Sequence, residues 1–249
     1  MRAKLYWFAA SHPAMAARKM LELKGVEFDV VSVLPGMQRL HLRAAGFRGG
    51  TVPALKLDGR RVQGSREIAR ALDARTPEPA LFPSEPAARA RVEEAELWGE
   101  RELQSVPRVL IRWGLVRDLS LRRWLAEGSG MPLPGLAGRA SAPVAAYYAR
   151  AIGADESAAR RLLAALPAML ARCDALLEQR TLRVDAPNAA TLQILSSVRA
   201  LDAFADLHEH VAAHPSAAAA RSLFPDFPGP VPAFLPRAWL RALGEGAAG

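Results

Sequence analysis

The chain has 249 residues, of which 51% are hydrophobic and 23% are charged, so we expect a globular protein with one large or two ordinary domains. Its formal net charge is +8, and the excess lies in residues 1–80, which hold 14 Lys or Arg against 7 Asp or Glu. A single cysteine, Cys173, excludes an intramolecular disulfide and a paired-cysteine metal site, and no apolar run approaches the roughly 18 residues of a membrane span.

The first part of the chain alternates between predicted strands and helices. Gly25 ends the first helix, Asp58-Gly59 predicts the turn of a β-hairpin, and Ser65 is the predicted cap of the helix that follows. In chain order the predicted elements cover residues 4–8, 13–24, 26–33, 37–46, 52–57, 61–63 and 65–72. The order β-α-β-α-β-β-α is typical of a thioredoxin-like α/β domain, which we place at residues 1–78.

Proline-rich segments then predict a linker at residues 79–86, before an all-α domain at residues 87–249. Ser84 is the predicted cap of a long helix, which Pro107 kinks or interrupts. Further helices are predicted at residues 119–127, 144–153, 156–179, 189–205 and 216–222. Residues 224–236 are rich in Pro and Phe, and we expect them to pack over the helices as an extended arm, because their aromatic side chains need cover.

Short segments along essentially the whole chain carry a family resemblance. They are residues 4–6 leading to Ser11-His12-Pro13, then 18–19, 22–25, 51–55, 64–68 and 188–194. In their order and spacing the sequence resembles the glutathione transferase family, in particular its serine-type, cytosolic, bacterial-like members. The resemblance implies a thioredoxin-like N-terminal domain, an all-helical glutathione-transferase C-terminal domain and a homodimer. It also implies an enzyme that activates the thiol of its co-substrate glutathione for attack on a small apolar electrophile, with no further cofactor and no metal ion.

The resemblance assigns glutathione binding to the turn at Val52-Pro53. In this family the proline before the hairpin is cis, an isomer found in only about 5–6% of X–Pro bonds. The turn then presents the backbone N–H and C=O of Val52 to the cysteinyl backbone of glutathione, as a short added strand. A proline at the start of an ordinary edge strand is the alternative.

Ser11 is the candidate catalytic residue, because by its distance from Gly25 it takes the position of the serine in serine-type members. It precedes the first predicted helix, whose free N–H groups and dipole favour an anion. Its hydroxyl would donate to the glutathione sulfur and hold it as a thiolate, and the alternative is a plain N-cap. His12 is a candidate to support Ser11 as a neutral imidazole, although we expect it at the surface, and Tyr6 is expected to be structural.

Ser65 is the candidate for the γ-glutamyl carboxylate because it begins a helix, and again the alternative is a plain N-cap. Family members usually carry an acidic or amide residue before this serine, whereas this chain has Gly64, which removes a side-chain contact. Gln63 and Arg66 are candidates to replace that contact. For the glycyl carboxylate the candidates are four basic residues, namely Arg39, His41, Arg43 and Arg48.

Aromatic residues of the helical domain are candidates for the second substrate's pocket or, as is commoner at helical spacing, for the core: Trp98, Trp113, Tyr147 and Tyr148. Cys173 is predicted to be a buried small hydrophobe.

The partner and compartment follow from the same pattern. A basic first domain attracts a small dicarboxylate as readily as nucleic acid, and no run of interleaved aromatic and basic residues supports a nucleic-acid groove. We expect a cytoplasmic protein that binds glutathione and neither membrane nor nucleic acid. The main alternative to an enzyme is a non-catalytic binding or scaffolding protein of the same fold, for which Gly64 is the best argument.

Overall fold

The computed structural model describes residues 3–8, 10–227 and 229–245. Its N-terminal part is a mixed sheet covered by helices, with the elements β1 (Ala3–Trp7), α1 (His12–Leu23), β2 (Phe28–Ser32), α2 (Gln38–Ala44), β3 (Ala54–Leu57), β4 (Arg60–Gln63) and α3 (Ser65–Arg75). The strand order is β2-β1-β3-β4, in which β2 is parallel to β1, and β3 is antiparallel to both β1 and β4. The predicted thioredoxin-like domain is confirmed.

Turn residues set the ends of these elements. Asp58 and Gly59 have φ angles of +48° and +85°, as a two-residue type I′ hairpin turn requires. Helix α3 runs to Arg75, past the predicted end at residue 72. It stops where Thr76, the residue before Pro77, adopts extended backbone, because a proline disfavours the helical conformation of its predecessor.

The remaining described chain is helical. Its elements are α4 (Pro86–Trp98), a π-helical turn (Gly99–Leu103), α5 (Ser105–Arg117), α6 (Leu119–Gly128), α7 (Pro134–Ala140), α8 (Ala142–Ala151), α9 (Glu156–Glu178), α10 (Ala189–Asp202), α11 (His208–Ala212), α12 (Pro215–Leu223) and α13 (Arg237–Glu245). Helix α10 is buried along nearly its whole length and packs against α1 of the first domain. Its first turn is capped by Asn188, whose Oδ1 accepts from the N–H of Thr191 at 2.9 Å. Within the described residues, no helix combines the length and apolar character needed to cross a membrane.

The long helix after the linker differs from the prediction. Glu85, not Ser84, caps α4, because its carboxylate accepts hydrogen bonds from the first free N–H groups of that helix. Residues Gly99–Leu103 then form a π-helical turn, closed by a 2.8 Å hydrogen bond from the N–H of Gln104 to the carbonyl oxygen of Gly99. Pro107 lies in the first turn of α5, where its missing N–H leaves no helical hydrogen bond unmade.

The C-terminal arm packs over the helices as predicted. Val231 forms a parallel bridge with Phe204, in which its N–H donates to Ala203 at 2.7 Å and its carbonyl oxygen accepts from Ala205 at 3.0 Å. The side chains of Phe224, Phe227 and Leu235 are buried. The arm therefore becomes part of the wall that the next section describes.

Buried charges fix the linker and the contact between the domains. The ammonium group of Lys24 is fully buried and donates to Asp73 at 2.7 Å and to the linker carbonyl oxygens of Thr76, Pro77 and Pro79 at 2.7, 3.1 and 2.6 Å. On α4, the fully buried carboxylate of Glu96 accepts from two arginines of α3, described below.

Candidate functional site

A cavity of about 400 Å³ lies where the two domains meet. One wall consists of the start of α1, the turn before β3 and the start of α3, and the other of α5, α6, α8 and the C-terminal arm. The predicted site residues that line it are Ser11, His12, Val52, Pro53, Gly64 and Ser65. The fold thus brings three distant sequence segments to one place.

Ser11 stands immediately before α1 with an extended backbone conformation. Its carbonyl oxygen accepts from the N–H groups of Ala14 and Met15, both at 2.9 Å. Its hydroxyl makes no cap hydrogen bond and has no other partner among the described residues. The side chain is therefore not used as a plain N-cap, and its hydroxyl is available at the cavity wall.

The turn at Val52-Pro53 has the cis peptide bond that the family resemblance implies. Across residues 3–8, 10–227 and 229–245, no group hydrogen-bonds to the backbone N–H or C=O of Val52. The turn is held from β4: Gln63 accepts from the N–H of Gly49 at 3.0 Å and donates to the carbonyl oxygen of Thr51 at 2.7 Å. Gln63 is not part of the cavity lining, so its contacts support the loop that bears Val52.

Gly64 and Ser65 join the hairpin to α3. Gly64 is the N-cap residue, and Ser65, which we predicted as the cap, is the first residue inside the helix. Gly64 has φ of +93° and ψ of 143°, a conformation that only glycine adopts readily. Ser65 is buried, and in the described part of the chain its hydroxyl has no hydrogen-bond partner. Its hydroxyl and N–H lie at a helix terminus that faces the cavity, and the free N–H groups of such a terminus favour an anion.

His12 was expected at the surface, and this expectation is wrong. Its side chain lies against the cavity and is 7% exposed, and its Nε2 is buried without a partner. Burial, and secondly the positive charge of Arg108, lower the pKa of His12 to about 3. The imidazole beside Ser11 is therefore neutral at physiological pH.

Comparison with known families identifies the N-terminal domain. Residues 5–80 match the family model of the glutathione S-transferase N-terminal domain. These residues form a glutathione S-transferase N-terminal domain. No curated protein sequence matches it.

Several solved structures share the fold over nearly the whole chain. A glutathione S-transferase from Rhodospirillum rubrum F11 is 21% identical, and the match covers 96% of this chain and 99% of that one, with a TM-score of 0.61. One from Methylobacterium radiotolerans, in complex with glutathione sulfonate, is 20% identical, and the match covers 95% of this chain and 97% of that one, with a TM-score of 0.58. The beta-etherase LigF from Sphingobium sp. strain SYK-6 is 19% identical, and the match covers 99% of this chain and 100% of that one, with a TM-score of 0.60. The glutathione-transferase fold is confirmed.

Arg66, a candidate for glutathione binding from the family resemblance, points to the domain interface. It is not part of the cavity lining, and its guanidinium donates to Glu96 and Glu100 of the helical domain, both at 3.1 Å. Arg70, one turn further along α3, also donates to Glu96 at 2.9 Å. Burial lowers the pKa of Arg66, but the hydrogen bonds to Glu96 and Glu100 outweigh this effect and raise it above its usual range.

Residues on α5 contribute polar groups to the cavity that the sequence interpretation did not name. They are Gln104, Arg108 and Arg112, spaced four residues apart on one face of the helix. The opposite face, with Val106 and Leu110, lies in the core. The sequence signal is this polar repeat beside an apolar stripe, which is also typical of a solvated helix face.

The aromatic candidates of the helical domain divide between core and cavity. Trp98 and Trp113 are buried in the core, whereas Tyr148 lines the cavity and donates to the carbonyl oxygen of Gly36 at 3.2 Å. Tyr147 is 57% exposed and lies outside the lining. Trp124 of α6 lines the cavity and was not predicted.

On the N-terminal side of the cavity, α2 contributes a different residue from those predicted. Gln38 lines the cavity, is 4% exposed and has a buried Oε1 without a partner. Arg39, a candidate for the glycyl carboxylate, donates to Tyr147 of α8 at 3.5 Å, and its side chain lies beside Gly50 at the cavity edge. His41, Arg43 and Arg48 are not part of the lining.

Cys173 has no part in this cavity. It is fully buried on α9, and burial raises the pKa of its thiol far above the usual range. The predicted small hydrophobe is confirmed.

Proposed function

We propose that the protein binds glutathione in the cavity and activates its thiol for attack on a small electrophilic substrate. The observation that carries this proposal is the convergence of three unused polar groups on one cavity: the hydroxyl of Ser11, the backbone of Val52 and the helix terminus at Ser65. They match the parts of glutathione, because a thiolate, a peptide backbone and a carboxylate need these kinds of partner. The fold neighbour from Methylobacterium radiotolerans, in complex with glutathione sulfonate, supports a ligand of this class.

The backbone groups set the position of the ligand. The free N–H and C=O of Val52 pair with the cysteinyl residue of glutathione as an added strand, whatever the side chain of Val52. Ser65 receives the γ-glutamyl carboxylate with its hydroxyl and N–H at the positive end of α3. These two contacts place the sulfur next to the start of α1.

Ser11 then acts on the sulfur as a hydrogen-bond donor. A free thiol has a pKa of about 8.5, and lowering it by about two units requires about 2.7 kcal/mol of preferential thiolate stabilisation. A hydrogen bond to a charged acceptor contributes about 1.5–3 kcal/mol, and the dipole of α1 adds to it. The thiol proton leaves to solvent, the thiolate forms a C–S bond with the electrophilic carbon, and the electron pair displaced from that carbon leaves with the departing group or enters the adjacent acceptor.

His12 lies beside Ser11 and contributes no charge to this mechanism. As a neutral imidazole it adds no positive charge beside the sulfur, so Ser11 and the helix terminus supply the stabilisation of the thiolate. Serine in this position also removes the nucleophile that disulfide exchange would need, so the chemistry is addition or displacement by glutathione.

Binding and activity are tested with Ser11→Ala. Native protein should bind glutathione in isothermal titration, and its thiolate absorbance should give a bound-thiol pKa well below 8.5. In the variant we expect that pKa to rise by about 1–2 units and the rate with a chloronitrobenzene at pH 6.5 to fall by about 10- to 100-fold, because one charge-assisted hydrogen bond is lost. Ser84→Ala, at an exposed serine, is the matched control.

Two outcomes separate an enzyme from a binding protein. No binding of glutathione at millimolar concentration refutes the proposal as a whole. Binding with no turnover, and with equal thiol pKa in Ser11→Ala and native protein, refutes thiol activation and leaves a non-catalytic binding protein.

A further inference from the structure

Helix α5 turns a polar stripe toward the part of the cavity that lies opposite the glutathione-binding wall. Gln104, Arg108 and Arg112 follow one another at four-residue spacing, and all three line the cavity. The surrounding lining from the same domain is apolar, and includes Ile111, Leu115, Trp124 and Leu125. The stripe thus places two cations in a mainly apolar pocket.

The charges of this stripe are incompletely balanced by the protein. Among the described lining residues Glu100 is the one acid, and its carboxylate is hydrogen-bonded to Arg66 at 3.1 Å. Glu100 attracts Arg108 without an ion-pair contact between them. In the described residues Arg112 has no carboxylate partner, and its guanidinium lies 4.9 Å from the ring centre of Tyr148.

The two arginines differ in exposure, since Arg108 is exposed and Arg112 is half-buried. Burial lowers the pKa of Arg108 and of Arg112, and the proximity of the two cations adds to the effect at Arg112. An arginine stays protonated at neutral pH even so. Arg108 is accessible from the open cavity, whereas Arg112 is partly covered. Two such cations, partly stripped of water and open to one cavity, favour an anion between them.

The side-chain amide of Gln104 is a second, independent indication that this part of the cavity binds a polar group. Its Oε1 accepts from Arg108, whereas its Nε2, in a side chain only 4% exposed, is buried without a partner. A buried donor of this kind is normally paired with an acceptor. An acid group bound in the cavity would accept hydrogen bonds from all three side chains.

We propose that Arg108, Arg112 and Gln104 form a subsite for an acid group on the electrophilic substrate. The substrate has an apolar body, which packs against Trp124 and Leu125, and a carboxylate or similar anion, which the guanidinium forks bind in the bidentate manner that suits planar acids. This inference rests on the proposed function and changes the expected substrate from a purely apolar electrophile to an amphipathic one.

The test uses two glutathione conjugates that differ by one carboxylate: S-benzylglutathione and S-(4-carboxybenzyl)glutathione. Isothermal titration of the native protein should show at least a tenfold tighter Kd for the carboxylated conjugate. In Arg108→Met and in Arg112→Met this preference should fall at least fivefold, while the Kd of S-benzylglutathione changes less than twofold. Arg112→Lys, which keeps the charge but not the fork, should lose part of the preference and guards against a variant that fails to fold. Arg101→Met, at an exposed arginine outside the cavity, is the matched control.

Equal Kd values for the two conjugates on the native protein overturn the subsite and leave the proposed function standing. The same holds if the methionine variants weaken both conjugates alike. If neither conjugate nor glutathione binds, the proposed function fails, and the subsite is then measured alone with 4-phenylbutyrate against 4-phenylbutan-1-ol. Equal affinity for these two compounds overturns the subsite too, and a preference for the acid that Arg112→Met removes supports it.

Discussion

Replacing Lys24 by Met should destabilise the protein strongly, because this side chain ties α1 to the linker. Its ammonium group is fully buried, and it donates to one carboxylate and three backbone carbonyl oxygens at distances between 2.6 and 3.1 Å. Methionine fills much the same volume and removes every one of these bonds. It also leaves the carboxylate of Asp73, 17% exposed, without its cation.

The magnitude follows from these contacts. Removing one partner of a buried ion pair costs about 3–5 kcal/mol, since the other charge stays desolvated. Asp73 keeps a 2.7 Å hydrogen bond from the N–H of Leu81, so we expect the lower half of that range, about 3–4 kcal/mol. For a chain of this size each kcal/mol lowers Tm by about 2–4 °C, which gives a decrease of about 6–16 °C.

Urea unfolding followed by tryptophan fluorescence measures this difference, with thermal melting as a second probe. Lys19→Met is the control, because Lys19 makes an exposed ion pair with Glu22 at 3.4 Å, and such pairs contribute about 0–1 kcal/mol. A loss below about 1 kcal/mol for Lys24→Met, indistinguishable from the control, would falsify the claim that the buried ammonium holds the linker.

Three further predictions concern the site. Gly64→Ala should lower the free energy of unfolding in urea by about 1–3 kcal/mol, because a φ of +93° is strained for any residue with a Cβ. No atom lies within 4 Å of the position of that Cβ, so the loss comes from the backbone alone. An unchanged unfolding midpoint would show that the backbone relaxes freely. The folded pKa of His12, about 3, is below the ordinary 6.5, so the unfolded chain binds the extra proton. The free energy of unfolding therefore falls as pH decreases from about 6.5 toward 3, by up to about 1.4 kcal/mol per pH unit. His12→Gln should flatten this slope in urea unfolding measured across that range, and an unaltered slope would contradict the buried neutral imidazole. Gln63→Ala removes two hydrogen bonds from the loop that bears Val52. We expect several-fold weaker glutathione binding in titration calorimetry and a loss of about 1–3 kcal/mol in the free energy of unfolding. Native affinity would mean that the turn holds its shape without Gln63.

Local sequence signals were enough for much of the fold. Asp58-Gly59 predicts its hairpin because both residues accept positive φ. The helix predicted at residues 189–205 begins as expected, directly after Asn188, which caps it. The cis bond at Pro53 came from the family resemblance, whereas the two domains follow from the order of the predicted elements and the proline-rich linker. The predicted domain limits, 1–78, 79–86 and 87–249, stay predictions.

Other residues depend on neighbours that are distant in sequence. His12 looks like a surface residue beside Pro13, but burial and, secondly, the charge of Arg108 on α5 lower its pKa, and this interaction spans both domains. Arg66 follows the predicted Ser65, yet its partners are acids thirty and more positions along the chain. Which side of α5 faces the cavity is likewise set by tertiary packing, since an amphipathic pattern separates a polar face from an apolar one but does not distinguish bulk water from a binding cavity.

The π-helical turn at Gly99–Leu103 accommodates one residue more than a regular α-helical turn. Because the wide turn absorbs that residue locally, a single-residue deletion that restores regular helix here would leave the orientation of α5 relative to α4 nearly unchanged. The same deletion further along α5 would meet no wide turn and would rotate the residues that follow it by about 100°. The spacing of residues is therefore tolerant at Gly99–Leu103 and strict along the stretch that carries Arg108 and Arg112.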